Sequence, residues 1–116
     1  MAVGILMMVP GGTQELYDKV NTEMFGQAMP QPDQLPEGLI MHSAGPAEGG
    51  WYIYDVWESK EACQTFMDST LNPAIHAVLG DVPPPPPGSE PQFYEIAALA
   101  VAKGPNPVAE SHLPRA

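Results

Sequence analysis

The sequence predicts an α+β domain with the element order β-α-β-β-α-β. Short apolar runs supply the strands, and two stretches with apolar residues every three or four positions supply the helices. Clusters of proline and glycine fall between these segments rather than inside them.

The first strand is the apolar run from Ala2 to Val9, closed by Pro10-Gly11-Gly12. Thr13 is placed to cap a helix, with Glu15 in its first turn where the helix dipole favours an acid. Leu16, Val20 and Met24 recur every fourth residue and define an apolar face, and Gly26 is a natural stop. Residues Gln27 to Glu37 hold three prolines and no periodicity, which predicts a loop. Gly38 to Ala44 reads as the second strand and Trp51 to Trp57 as the third, rich in aromatic and β-branched residues. The Gly45-to-Gly50 segment between them predicts a hairpin with a loop longer than two residues. Ser59 caps a second helix with a wide apolar stripe that includes Ala62, Cys63, Phe66, Met67 and Leu71. Pro73 is expected to kink or break it, because proline lacks an N–H and crowds the preceding turn. A short piece then runs from Ala74 to Leu79.

Pro83 to Pro87 is a run of five prolines, an extended spacer or a docking site for a proline-binding domain. Phe93 to Val101 is the last predicted strand. One domain over residues 1–102 is expected, followed by residues 103–116 as a flexible tail or an arm laid on a partner.

Composition narrows the function classes. With 116 residues and 44% hydrophobic content the chain reads as a single globular domain, with a core small enough to gain from oligomerisation. The net charge of −10 repels phosphate backbones and anionic lipid, so neither a nucleic acid nor a membrane is an expected partner. The lone Cys63 excludes an intrachain disulfide and a cysteine zinc framework. Three scattered histidines give little support for a metal site. No basic region precedes the N-terminal apolar run, and no run approaches the roughly 20 residues of a membrane span. A cytoplasmic protein is the expectation. Gly11-Gly12 lacks the spacing of a nucleotide-binding loop, and no cofactor is expected.

The element order is that of the split βαβ, ferredoxin-like unit, with both helices on one face of a four-stranded antiparallel sheet. Such a sheet should alternate apolar and polar residues. Here Ile5 to Met8, Leu39 to Met41 and Ile96 to Val101 are apolar without alternation. Both faces therefore call for burial, and packing of the sheet against a second copy would meet that need.

The junction Asp55-Val56-Trp57-Glu58-Ser59-Lys60-Glu61-Ala62, with the later Asn72-Pro73-Ala74, resembles the dimeric α/β-barrel superfamily, in particular its antibiotic-biosynthesis-monooxygenase-like branch. The resemblance implies a homodimer formed by sheet-to-sheet packing, with a ligand cavity between sheet and helices. It also implies a cofactor-independent enzyme acting on an apolar, aromatic or polyketide-like small molecule. Monooxygenation stands first among the reactions, with cyclisation or isomerisation on a His or Asp base as an alternative. A non-catalytic dimeric binding protein is a further alternative. The resemblance makes Trp57 a pocket residue. It also aligns Ile53 with a substrate-positioning asparagine, and Cys63 with a tyrosine, of the anthrone oxygenases.

The residues read by themselves give the candidates. Trp51, Ile53, Asp55 and Trp57 share one face of the third strand by the period of two. Asp55 amid Tyr54, Val56 and Trp57 is costly to bury unless paired or functional, which makes it a candidate base; alternatively it reaches solvent near the strand end. His42, on a face shared with Ile40 and Ala44, is either a proton carrier or a hydrogen-bonded core residue. His76 is a second candidate base or a surface histidine, and its position resembles that of a base in plant polyketide cyclases. Met24, Phe66 and Met67 fit an adaptable pocket wall as well as a core. Cys63 reads as a small core residue despite its place in a helix's first turn. Tyr17, Tyr52, Tyr54 and Tyr94 offer phenolic donors, with Tyr52 and Tyr54 on the face opposite Trp57.

Overall fold

A computed structural model describes residues 1–84 and 86–102. Pro85 of the proline run and the expected 103–116 tail lie outside the described residues. The elements are β1 (Val3–Pro10), α1 (Gln14–Phe25), β2 (Leu39–Ala47), β3 (Gly50–Trp57), α2 (Lys60–Phe66), α3 (Asn72–Leu79) and β4 (Gln92–Glu95). The strands form one antiparallel sheet in the order β2-β3-β1-β4. This α+β arrangement is compatible with a ferredoxin-like fold.

The expected caps are in place. Thr13 Oγ1 accepts the Leu16 N–H at 3.2 Å, and Ser59 Oγ accepts the Ala62 N–H at 3.1 Å. Each satisfies a backbone donor that the first helical turn leaves free. The helices pack on the sheet face that carries Ile5 and Trp57. There Ile5, Trp57 and Cys63 are almost wholly buried, with Ala62, Phe66 and Met67 of the second helical stretch against them. The rings of Trp57 and Phe66 lie 5.4 Å apart, a tilted aromatic contact.

Four local expectations are corrected. Strand β2 extends to Ala47, so the hairpin closes in two residues, Glu48-Gly49, with Gly49 at φ 77°. The turn is tight because the ladder continues through Gly45 and Pro46 as far as Ala47 opposite Gly50. Strand β4 spans Gln92–Glu95 and ends there because β1 begins at Val3, opposite Glu95. One further bond, Ile96 N–H to Ala2 O at 2.9 Å, ends the pairing. Pro73 neither breaks nor ends the helix. A π turn at Met67–Leu71 joins α2 to α3, with the Asn72 N–H bonded back to Met67 O. The widened turn brings Pro73 into the first turn of α3, where a missing N–H costs little.

The fourth correction concerns β2. A bulge between Leu39 and Met41 sets Leu39 opposite Trp57 and Met41 opposite Val56, leaving Ile40 unpaired. The alternation therefore breaks there. Leu39 shares the inward face with His42, and Ile40 does not.

Candidate active site

His42 and Asp55 are directly opposite one another in the β2–β3 ladder, on the face that the helices cover. His42 Nδ1 lies 2.6 Å from Asp55 Oδ1. A carboxylate can only accept, so Nδ1 carries the proton and donates it. Nε2 is then the acceptor, and its partner is the hydroxyl of Tyr17 from α1. The other carboxylate oxygen of Asp55 accepts the Trp57 indole N–H at 3.3 Å. Four side chains from three elements thus form one hydrogen-bonded chain, Tyr17–His42–Asp55–Trp57. The Asp55 side chain is 9% exposed and that of His42 22%, so the pair is shielded but not sealed. Buried polar groups are costly unless partnered, and here each named group has a partner.

Burial sets the acid–base character of the surroundings. It pushes the Tyr17 phenol up to about 12, helped by the negative charges of Asp55 and Asp18 and opposed by a hydrogen bond from Asn21. Tyr17 is therefore a neutral donor toward His42 rather than a tyrosinate. The Cys63 thiol is pushed up to about 11, chiefly by burial and secondarily by the charge of Asp55. The helix start does not activate this thiol, and its Sγ sits 3.7 Å from Met67 Sδ.

His42 and Asp55 open onto an apolar cleft between the sheet and the helices. Among the sequence candidates, Met24, Ile53, Trp57 and Phe66 line it. Leu39, which the bulge turns inward, does so too. Met67 and Cys63 belong to the adjoining core. His76 is placed apart: its side chain is 68% exposed and pairs with Asp81 at 3.3 Å. The cleft holds about 50 Å³ of free space, room for one or two waters, whereas small organic ligands fill sites of roughly 300–1,000 Å³.

Two residues of α1 join the site without a mark in the sequence of their own. By sequence, Tyr17 is one of four phenols. Asn21, 5% exposed, lines the cleft and donates from Nδ2 to Ala28 O at 2.9 Å. The signal was the spacing Tyr17, Asn21, Met24, an i, i+4, i+7 stripe beside the apolar one. Trp51 packs its ring on Tyr17 at 5.3 Å, and its buried Nε1 has no hydrogen-bond partner among the described residues.

Among the described residues no group of three or more His, Cys, Asp or Glu side chains is arranged to hold a metal ion, and no helix is long and apolar enough to cross a membrane. No protein-family model matches the chain, and no curated protein matches it significantly.

Proposed function

We propose that the chain is a small cofactor-independent enzyme that removes a proton from an apolar, aromatic or polyketide-like small molecule, with His42 as the base. The observation that carries this reading is the Tyr17–His42–Asp55 chain at the wall of an apolar cleft. A buried carboxylate on Nδ1 fixes the tautomer that presents a lone pair at Nε2, and it stabilises the imidazolium formed when that nitrogen takes a proton. The Tyr17 hydroxyl occupies Nε2 at rest. A substrate either displaces it or passes its proton through it. Trp57 and Ile53 shape the cleft and offer an apolar surface to a flat ring.

Proton abstraction is the first step of an isomerisation or a cyclisation, and also of cofactor-free oxygenation. The apolar Ile53 and the buried Cys63 stand where the resemblance to the oxygenases places polar groups, which favours isomerisation or cyclisation. The same reading includes a homodimer packed through the open sheet face, where Leu6, Met8, Tyr52, Tyr54 and Tyr94 lie half-buried or exposed.

The test uses 2-tetralone, an apolar aromatic ketone with acidic C–H bonds. Deuterium wash-in at its α-carbon, followed by NMR, should be catalysed by the wild type. His42→Ala and Asp55→Asn should each lose about 10²- to 10⁴-fold in rate, the usual worth of a positioned acid–base group. Wash-in that persists at the wild-type rate in both variants overturns the assignment. Oxygen uptake with anthrone as the probe would return oxygenation to first place. A monomer in sedimentation at micromolar concentration would remove the dimer.

A further inference from the structure

The cleft is too small for the ligands proposed for it, so access requires movement, and the structure restricts which part can move. The wall away from the sheet is the connection from α1 to β2, residues 26–38, which turns Pro30, Leu35 and Pro36 toward the cleft. Both ends are glycines in the left-handed region, Gly26 at φ 80° and Gly38 at φ 89°. Between them the only regular structure is a single 3-10 turn at Pro32–Gln34. The segment is knit mainly to itself: Gln34 accepts from Gln27 at 2.6 Å and from the Gln31 N–H at 2.8 Å, and donates to Phe25 O at 3.2 Å. All three bonds are exposed to water. The side-chain bond that reaches it from beneath is the shielded one from Asn21 to Ala28 O.

We propose that residues 26–38 form a hinged cover over the cleft and that Asn21 is its latch, a positioning residue that links the cover to the Tyr17–His42–Asp55 chain. This rests on the reading of the cleft as a ligand site. A single amide makes the link. Its Nδ2 holds Ala28 O, and its place one helical turn after Tyr17 sets it beside the phenol whose hydroxyl occupies His42 Nε2. Lifting the cover frees Asn21 from Ala28. It opens the cleft and changes the surroundings of the phenol in one motion. Seating the cover on a ligand restores the Asn21–Ala28 bond beside Tyr17.

Hydrogen exchange on the full chain tests the cover without any ligand. The amides to follow are those of Gln31, Gln34 and Leu39, which are hydrogen-bonded in the closed form. Asn21→Leu keeps the branched shape and removes the donor. It should speed their exchange about three- to tenfold, the range for one lost hydrogen bond, with the amides of β1 and β3 unchanged. Asn21→Ala should do the same. Equal acceleration across the sheet, or none at the cover, overturns the proposal. In stopped-flow fluorescence, association of 2-tetralone should quicken by the same factor in Asn21→Leu, and an unchanged rate overturns the gating role. If 2-tetralone fails to bind the wild type, the ligand reading falls, while the exchange result still decides the cover.

Discussion

Ile5 and Leu6 are neighbours in β1, yet they stand in different surroundings. Ile5 faces the helices and has no exposed surface, while Leu6 on the opposite face is half-buried. The same division runs through β3. Asp55 and Trp57 are buried and bonded to one another, whereas Tyr52 and Tyr54 keep part of their rings in solvent. Both faces are rich in apolar atoms, so apolar content does not separate them. What separates them is the polar chain: the covered face encloses a histidine, a carboxylate and a phenol in mutual contact. A site needs low exposure and satisfied polar groups together, and only the covered face has both.

The sharpest way to probe this contrast is to empty each face in turn. Trp57→Ala should destabilise the fold by about 3–5 kcal/mol, since it opens a cavity in the core and strands Asp55 Oδ2. Tyr54→Ala should cost far less in a monomeric state. Urea midpoints of the two variants check the ranking, and equal losses would mean that the open face is covered in solution, as the proposed dimer requires.

Alkaline pH probes the covered face alone. The Tyr17 phenol and the Cys63 thiol ionise ordinarily at 10.0 and 9.0, and burial raises them to about 12 and about 11. Between those limits the unfolded chain has shed protons that the folded chain keeps. The stability these two groups contribute is constant below the thiol's ordinary value and is lost as pH rises through the window from 9.0 to about 12. Tyr17→Phe and Cys63→Ala should each remove part of the slope, read as urea midpoint against pH. The same burial predicts slow alkylation of Cys63 by iodoacetamide at neutral pH until the protein unfolds.

The smallest effect is expected at Trp51. Its indole N–H is buried without a partner among the described residues, while that of Trp57 bonds Asp55. Trp51→Phe keeps the ring against Tyr17 and removes an unsatisfied donor, so the net change should lie within about 1 kcal/mol of zero. Trp57→Phe should cost more.

Much of this was legible in the chain. The alternation of Trp51, Ile53, Asp55 and Trp57 placed all four on one face, and Thr13, Ser59 and Gly26 marked helix ends by their own local chemistry. The features missed are those that depend on a neighbour. The bulge that turns Leu39 inward is a property of the β2–β3 pair, and the end of β4 at Glu95 reflects where β1 begins. The apolar stretch from Ile96 onward promised strand but lies past the last ladder residue, with Leu99 and Val101 exposed. Tyr17 is the instructive case. Its position on a helix stripe was readable, but its partnership with a histidine 25 residues away arises only when α1 crosses the sheet.

The bulge in β2 also bears on how this chain tolerates change in length. Ile40 is the residue without a partner, flanked by pairs that hold Leu39 to Trp57 and Met41 to Val56. A chain that lost Ile40 could keep both pairs, with His42 still opposite Asp55. A residue lost or gained between His42 and the hairpin turn would move the imidazole to the far side of the sheet. Ile40 therefore acts as slack in the strand: insertions and deletions arising in the long connection before it can be absorbed there, leaving His42 and Asp55 in register.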